Sequence, residues 1–332
     1  MNADAKAISD VGQRVMDGSL LSREEGSVIA RAEGEALDEV FQWSDRIRRK
    51  HFGNRVKFCS IVSGKLGGCG EDCAWCAQSA RYKTKAPRKT RRADVPAVLK
   101  AAEEARQNHA ACFCVVNSGR RPGAADLAAL REINAALAGA GLSPACASMG
   151  ELTAAAAAGL RAMGVRRYNH NLETSRRHFA ELVTTHAYDD RLATLRAAKA
   201  AGLEVCCGGL FGTGDTWDDR IDLALTLREQ VQPDIVPLNF LSPIPGTPLE
   251  NAPPLTPLEC LHTIALFRFL LPRTDLKIAG GRVGNLRDLQ SWIFRAGATS
   301  LMVGNYLTTC GREPQLDRRM IEDLGMELVK NL

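Results

Sequence analysis

From Val56 onward, short apolar segments alternate with amphipathic segments of helical length. Strand–helix units repeated in this way along one chain predict a parallel sheet that closes into a (β/α)8 TIM-type barrel of the α/β class. A doubly wound open sheet is the alternative fold. The predicted strands are 57–62, 111–117, 143–149, 167–172, 203–210, 234–241, 276–280 and 299–303, and the predicted helices are 95–108, 124–140, 188–201, 217–230, 257–271 and 286–296.

The first part of the chain has a different pattern. Ser22 followed by Glu25 is typical of a capping box at the start of a helix, and apolar residues at helical spacing predict a second helix over 35–50. We therefore expect an N-terminal helical extension over residues 1–52, followed by the barrel and a C-terminal tail over residues 53–332.

Composition limits the classes of function. The chain has 332 residues, a formal net charge of +5 and eleven cysteines. The basic run 83–92 is interpreted as a solvated loop, and we expect no nucleic-acid partner. No long apolar run and no charged-then-apolar leader is present, so we expect no membrane span, no signal peptide and a cytoplasmic location. Cysteines in a reducing compartment indicate metal or redox chemistry rather than disulfides.

Three cysteines stand close together in the segment GCGEDCAWCAQ, residues 68–78. Cys69, Cys73 and Cys76 have the spacing C-x3-C-x2-C, which supplies three thiolates and no fourth ligand. A structural zinc site uses four protein ligands, and a [4Fe-4S] cluster with four cysteines carries electrons. Three thiolates on a four-iron cluster leave one iron open to a cosubstrate. A zinc knuckle completed by a remote residue, or three buried thiols, is the alternative.

A second group of cysteines falls on the predicted strands. Residues i and i+2 of a barrel strand point the same way, so Cys112 and Cys114 share a face. Cys146 and one of the adjacent pair Cys206 and Cys207 could add further thiolates inside the barrel, although each of them alone could be a small buried residue. The cysteines interpreted as structural are Cys59, Cys260 and Cys310.

The motif around Cys69, with Trp75 before the third cysteine, resembles the signature of the radical S-adenosylmethionine (SAM) enzymes. In those enzymes the open iron chelates SAM, and an electron cleaves the sulfonium to give a 5'-deoxyadenosyl radical. Over nearly its whole length the chain resembles the biotin synthase family. The resemblance lies in CGEDCAWCAQSARY, RYNHNLET, VCCGGLFGTGDT, VPLNFLSPIPGTPLE and GNYLTT.

This resemblance implies a reaction and partners. The reaction is insertion of sulfur into dethiobiotin between a methyl and a methylene carbon, with SAM consumed, to give biotin. The implied partners are dethiobiotin, an electron donor such as flavodoxin or ferredoxin, and a second copy in a homodimer. The competing functions are another radical SAM enzyme with a similar barrel, such as a hydrogenase maturase or an amino-acid mutase, and a non-enzymatic iron–sulfur or zinc protein.

The resemblance also implies roles for individual residues. Cys69, Cys73 and Cys76 match the ligands of the SAM-binding [4Fe-4S] cluster. The residues matching cofactor and substrate contacts are Asn169 and Glu173 for SAM and Asn171 and Asn239 for dethiobiotin. The residues matching ligands of the auxiliary, sulfur-donating cluster are Cys114, Cys146 and Cys206.

The chain departs from the family around the auxiliary cluster. In well-known members an arginine completes a [2Fe-2S] cluster, whereas Lys277 stands at that position here, with Arg282 five residues further on. Cys112 replaces a second arginine, and Cys207 replaces a small residue. A lysine must lose its proton before it can bind iron. We therefore expect an auxiliary cluster of the four-iron type, held by Cys112 with the three family cysteines, and a [2Fe-2S] cluster is the alternative.

Overall fold

The computed structural model describes residues 2–304 and 311–329. The helices are α1 (Ala3–Met16), α2 (Arg23–Ala30), α3 (Glu35–Phe52), α4 (Val95–Gln107), α5 (Ala124–Gly139), α6 (Ala154–Ala162), α7 (Arg176–Leu182), α8 (Tyr188–Ala200), α9 (Trp217–Thr226), α10 (Pro257–Leu270), α11 (Arg282–Leu286) and α12 (Pro314–Asp323). The strands are β1 (Arg55–Leu66), β2 (Arg91–Arg92), β3 (Ala110–Asn117), β4 (Cys146–Ser148), β5 (Arg167–Asn169), β6 (Glu204–Cys206), β7 (Gly209–Phe211), β8 (Ile235–Phe240), β9 (Asp275–Ile278), β10 (Ser300–Met302) and β11 (Glu327–Val329).

Parallel strands close into a barrel. In the described part of the chain the order is β1, β3, β4, β5, β6, β8, β9, β10, and β10 pairs with β1 to complete the ring. Strands β6 and β7 are two halves of one barrel strand, because both pair with β8. The α/β fold predicted from the strand–helix repeat, a (β/α)8 barrel, is confirmed. Because all these strands are parallel, the loops that follow them meet at one end of the barrel.

The break between β6 and β7 falls where the sequence predicts one continuous strand, 203–210. It lies at Cys207 and Gly208, where a Cβ added to Gly208 would lie 1.9 Å from the carbonyl oxygen of Pro237. The backbones of the two strands therefore approach more closely than any side chain allows. The predicted helix over 286–296 is also wrong in type, because a 3-10 helix runs from Arg287 to Ile293 with non-helical dihedral angles at Leu289.

Three helices precede the barrel in the described part of the chain. Ser22 and Glu25 form the capping box that the sequence predicts, since each side chain bonds the backbone N–H of the other residue. Helix α3 packs against α1 and α10, and α2 packs against α9 and α10. At the contact of α1 with α3, a Cβ on Gly12 would lie 2.4 Å from Trp43. These contacts hold the extension against the outer helices of the barrel.

Two short strands lie at opposite ends of β1. Strand β2 pairs antiparallel with the carboxyl end of β1, where Lys65 faces Arg92, and β11 pairs with its amino end, where Arg55 faces Glu327. The loop with Cys69 follows β1, so the fold brings it to the carboxyl end of the barrel. No helix within residues 2–304 and 311–329 is long and apolar enough to cross a membrane.

Candidate functional site

The cysteine loop after β1 is closed by backbone hydrogen bonds. The N–H of Cys69 donates to the carbonyl of Gln78 at 3.1 Å, and the N–H of Ala80 donates to the carbonyl of Cys69 at 2.7 Å. Within the loop, the N–H of Cys76 donates to the carbonyl of Cys73 at 2.9 Å. The loop is therefore a closed turn that holds its three thiols on one short segment.

Asp72 anchors this loop to the connection between α7 and α8. Its carboxylate accepts the backbone N–H groups of Thr184, at 3.0 Å, and Thr185, at 3.2 Å, as well as the hydroxyl of Thr185 at 2.9 Å. Burial alone would raise the pKa of Asp72, but these donors lower it to about 2. Asp72 therefore stays ionised at neutral pH and ties the loop to the connection between α7 and α8.

The three loop cysteines are free and suit an iron–sulfur cluster. All three line one cavity, and burial raises the pKa of Cys73 to about 12 and that of Cys76 to about 11. Within the described ranges, no three His, Cys, Asp or Glu side chains converge on a point where one metal ion could bind.

Two neighbouring cavities, each of about 290 Å³, open at the carboxyl end of the barrel. One is mainly apolar and extends past Leu210 and Met302 to Asn239. The other is richer in charged groups and reaches Glu71 and Arg191. The residues that line both cavities are Trp75, Cys76, Gln78, Asn171 and Glu173.

Glu173 lies where the two cavities meet. It has a positive φ of 72°, and its backbone bonds Gly208 and Leu210, which holds this strained conformation in place. Its carboxylate accepts from the amide of Asn171 at 3.4 Å and lies 3.8 Å from the guanidinium of Arg191. Burial raises the pKa of Glu173 above its ordinary value. The carboxylate has spare lone pairs and can accept hydroxyl donors from a bound molecule.

The three predicted asparagines lie along the same cavities. Asn239 bridges two strands, because its amide donates to the carbonyl of Gly209 at 3.0 Å and accepts the N–H of Gly280 at 2.9 Å. Asn171 accepts the N–H of Gly208 at 3.2 Å. Each of these two amides keeps a second N–H and a second lone pair for a ligand.

Asn169 connects the charged cavity with the barrel interior. Its amide N–H donates to the Cys114 sulfur at 3.0 Å, and the residue also lines the cavity that contains Cys69. The buried Oδ1 of Asn169 and Nε2 of His170 have no hydrogen-bond partner among the described residues. Buried polar atoms of this kind are normally paired, so the cavity is suited to a polar ligand.

Inside the barrel, four thiols form a continuous group on three neighbouring strands. Cys59 on β1 is paired in register with Cys112 on β3, and Cys114 on β3 is paired with Cys146 on β4. Cys112 therefore lies beside Cys59 across the β1–β3 pair and shares one face of β3 with Cys114, the register partner of Cys146. The interpretation of Cys59 as a structural cysteine therefore overlooked its place beside Cys112. Its position on the first predicted strand was the signal that could have revealed it.

Lys277 and Cys206 complete this group from the opposite wall. The Lys277 ammonium donates to the Cys206 sulfur at 3.4 Å. Burial by itself would lower the pKa of Lys277, but the surrounding thiolates raise it above its ordinary value. Arg167 also lies near the thiols and pairs with Glu204 at 2.6 Å. The thiols thus face two cations, which offset the negative charge of a thiolate-rich cluster.

The remaining cysteines point elsewhere. Cys207 packs in the hydrophobic core, whereas the side chain of Cys206 faces the other interior cysteines. The alternation of side chains along a strand requires this difference. Cys260 on α10 is fully buried in the same core. Cys310 lies outside the described residues.

Arg282 has a structural role and does not lie beside the interior cysteines. Its guanidinium donates to the side-chain oxygen of Gln290 at 2.7 Å and to the carboxylate of Asp317, and the side chains of Arg282 and Asp317 are 0% exposed. Asp317 also pairs with Arg312 at 2.9 Å. Arg282 is therefore not available as a ligand, although its position in the sequence left that role open.

We expect Arg282→Ala to lower the free energy of unfolding by about 3 kcal/mol, because it breaks a buried ion pair. This value is near the low end for such a change, since Arg312 still neutralises Asp317. Thermal unfolding of the anaerobic protein, followed by circular dichroism, measures this effect. Arg106→Ala, which removes an exposed ion pair with Glu103, is the control and should leave the free energy of unfolding nearly unchanged. Loss of iron from the folded Arg282 variant would instead indicate a ligand.

Two family models match parts of this chain. Residues 65–227 match the Radical SAM superfamily, and residues 237–327 match the Biotin and Thiamin Synthesis associated domain. Among solved structures, methylornithine synthase (PylB) is 20% identical, with a TM-score of 0.81 over 96% of this chain and 97% of that chain. The hydrogenase maturase HydG from Carboxydothermus hydrogenoformans is 18% identical, with a TM-score of 0.82 over 98% of this chain and 80% of that chain. At these identities the likeness extends to the fold alone.

Curated relatives are much more similar in sequence. Biotin synthase from Trichlorobacter lovleyi is 46% identical over 330 residues, which cover 98% of this chain and 97% of the relative. Biotin synthase from Geobacter sulfurreducens is 44% identical over 321 residues, which cover 95% of this chain and 96% of the relative. The chain also has one group of cysteines at the carboxyl end of its barrel and another in the barrel interior. With this sequence identity over nearly its full length, the chain belongs to the biotin synthase family.

Proposed function

We propose that this chain converts dethiobiotin into biotin by inserting sulfur between a methyl and a methylene carbon. One observation carries the proposal: β5 and the segment after it connect the two cysteine groups. Asn169 bonds Cys114 of the interior group, and Glu173 lines the same cavity as the cysteine loop. Asn171 lies between them in the sequence and lines both cavities. A substrate at Asn171 would therefore lie between SAM and a source of sulfur.

The cysteine groups would hold two different clusters. Radical SAM enzymes use a [4Fe-4S] cluster and SAM, and we assign Cys69, Cys73 and Cys76 to that cluster, which supplies the electron that cleaves SAM. We assign an auxiliary, sulfur-donating cluster to the interior group. Its proposed ligands are Cys112, Cys114, Cys146 and Cys206.

Lys277 would balance charge at the auxiliary site rather than bind iron. Its ammonium already donates to Cys206, at 3.4 Å. An ammonium has no lone pair, so it can donate to a thiolate but cannot ligate a metal. A full set of four cysteines makes a nitrogen ligand unnecessary.

The cavities suit the two organic molecules. We assign the charged cavity to SAM, where Glu173 would accept hydrogen bonds from the ribose hydroxyls and the unpaired Oδ1 of Asn169 would accept another. We assign the mainly apolar cavity to dethiobiotin. The free N–H groups and lone pairs of Asn171 and Asn239 suit the carbonyl and N–H groups of its ureido ring. Apolar neighbours such as Leu210 suit its alkyl chain.

Glu173→Ala should weaken SAM binding by about tenfold to 150-fold, because a charge-assisted hydrogen bond is worth about 1.5–3 kcal/mol. Glu173→Gln, which keeps one acceptor oxygen and the side-chain shape, should lose less. Equilibrium binding to the reconstituted anaerobic protein measures both affinities. Dethiobiotin binding should weaken much less than SAM binding in either variant, and an equal loss of both affinities would contradict the assignment of Glu173 to SAM.

The reaction has a direct test. Anaerobic, reconstituted protein is incubated with SAM, dethiobiotin and a reductant, and mass spectrometry follows biotin and 5'-deoxyadenosine. We expect both products. Cleavage of SAM without biotin would favour another radical SAM reaction, and purified protein that contains zinc without sulfide would favour a non-enzymatic protein.

We further propose that the enzyme acts as a homodimer in the cytoplasm, with a flavodoxin or a ferredoxin as its electron donor. These proposals rest on the resemblance to the family. Light scattering of the anaerobic protein tests the homodimer. Biotin formation with purified flavodoxin or ferredoxin in place of a chemical reductant tests the electron donor.

A further inference from the structure

A separate cavity opens at the amino-terminal end of the barrel, opposite the cysteine loop. Its volume is about 270 Å³. Its walls come from the start of β3 and from the turns that lead into β4 and β5. The cavity reaches two thiols of the interior group, Cys112 and Cys146. Its lining also includes Ser143, Pro144, Arg161 and Arg166.

The cavity exists because one barrel strand starts late. Strand β3 begins at Ala110, but the first residue of β4 is Cys146, which is paired with Cys114. Cys112 lies two residues before Cys114 on β3, and the same register places Pro144 beside it. Proline has no N–H, so it cannot extend the hydrogen bonding between β3 and β4. Cys112 consequently keeps solvent-accessible surface, while Cys114 is buried. The barrel wall is open at this point, next to a thiol assigned to the auxiliary cluster.

The mouth of the cavity is positively charged. Arg161 and Arg166 line it, and the lining includes no Asp or Glu from the described residues. Arg166 pairs with Glu204 at 3.2 Å, but Arg167 pairs with the same carboxylate at 2.6 Å, so two guanidinium groups share one negative charge. Arg161 has no salt bridge to any described residue. The excess positive charge favours entry of a small anion.

We propose that this cavity admits hydrosulfide to the auxiliary site. The proposal rests on the proposed function, in which each turnover removes one sulfur atom from that site. Hydrosulfide is a small anion that matches the charge of the mouth, and it carries sulfur at the oxidation level of a bridging sulfide, so its entry needs no oxidant and no reductant. Because the substrate cavities lie at the other end of the barrel, sulfur would arrive without crossing the places of SAM and dethiobiotin.

Labelled sulfide tests this route in the reconstituted holoprotein. Sulfide with a heavy sulfur isotope is added anaerobically, and the initial rate at which label enters the protein-bound, acid-labile sulfide is measured by mass spectrometry. Ser143→Trp, at an exposed residue that lines the cavity, should obstruct it. Ser19→Trp, at an exposed residue of the α1–α2 connection, is the matched control and should label at the parent rate.

A second variant removes charge without adding volume. The double substitution Arg161→Gln and Arg166→Gln should slow labelling by about threefold to tenfold at low salt, and high salt should narrow the difference from the parent, because electrostatic attraction of anions is screened by salt. Ser143→Trp should slow labelling at least as much. Iron content and circular dichroism show that each variant is folded and loaded.

The outcomes separate this proposal from the proposed function. Label that enters the Ser143 variant and the double variant at the parent rate would show that hydrosulfide reaches the site by another path. Single-turnover cleavage of SAM should remain at the parent rate in both variants, because the other end of the barrel is unchanged. If the parent protein makes no biotin, the proposed function fails, while the labelling rates still report whether this cavity admits hydrosulfide.

Discussion

Replacing Cys69, Cys73 or Cys76 by Ala will reduce the cleavage of SAM to background. Each substitution leaves two thiolates in the loop, and two thiolates hold a four-iron cluster poorly. The backbone of the loop should survive, because Asp72 and the hydrogen bonds of Cys69 and Ala80 do not depend on the thiols. The loss should therefore appear in activity and iron content before it appears in folding.

The measurement is formation of 5'-deoxyadenosine by anaerobic protein with SAM and a chemical reductant. Cys260→Ala is the matched control, since it removes a thiol that is buried in the core on α10. That variant should cleave SAM at nearly the parent rate. Parent-level cleavage in any one of the three loop variants would contradict the assignment of these cysteines.

Cys112→Ala should prevent assembly of a complete auxiliary cluster and abolish biotin formation, while cleavage of SAM continues. Cys112 is paired in register with Cys59 and shares one face of β3 with Cys114, so it stands inside the group of proposed ligands. Its loss leaves three proposed ligands, and Lys277, which stands where the family has an arginine ligand, cannot bind iron as an ammonium. The cysteine loop belongs to the other end of β1 and keeps all three thiols.

Iron and sulfide analysis with Mössbauer spectroscopy measures this effect directly, apart from any activity. The spectrum of Cys112→Ala should retain the SAM-binding cluster and lose the auxiliary one. Cys207→Ala is the control, because Cys207 is fully buried in the core, one residue from a proposed ligand. A fully loaded and active auxiliary cluster in Cys112→Ala would show that Cys112 is only a buried thiol.

The sequence predicts the barrel well, because the period of the hydrophobic pattern is a local property. Strands with period two and helices with period 3.6 remain visible without any knowledge of their neighbours. The bounds of helix α6 were not predicted, since its run of alanines from 154 to 158 has no polar face to contrast with an apolar one. The break at Gly208 was also hidden, because it arises from the approach of Pro237 on a neighbouring strand.

Long-range register explains what the sequence could not predict about the site. Alternation along one strand places Cys112 and Cys114 together, and it separates Cys206 from Cys207. The neighbour of Cys112 on β1 depends on how β1 and β3 are paired, so Cys59 seemed to be an isolated buried thiol.

The two basic residues on and after β9 illustrate the same limit. Lys277 and Arg282 lie five positions apart, and only the fold shows that Lys277 faces the thiols while Arg282 is buried against Asp317.

The origin of the sulfur in the product tests the central claim most directly. The protein is reconstituted with sulfide of a heavy isotope, freed of unbound sulfide, and allowed a single turnover with SAM, dethiobiotin and a reductant under anaerobic conditions. If the interior cysteines hold a sulfur-donating cluster, the biotin formed carries the heavy isotope, and 5'-deoxyadenosine appears with it. Biotin with unlabelled sulfur, or 5'-deoxyadenosine without any biotin, would contradict this account.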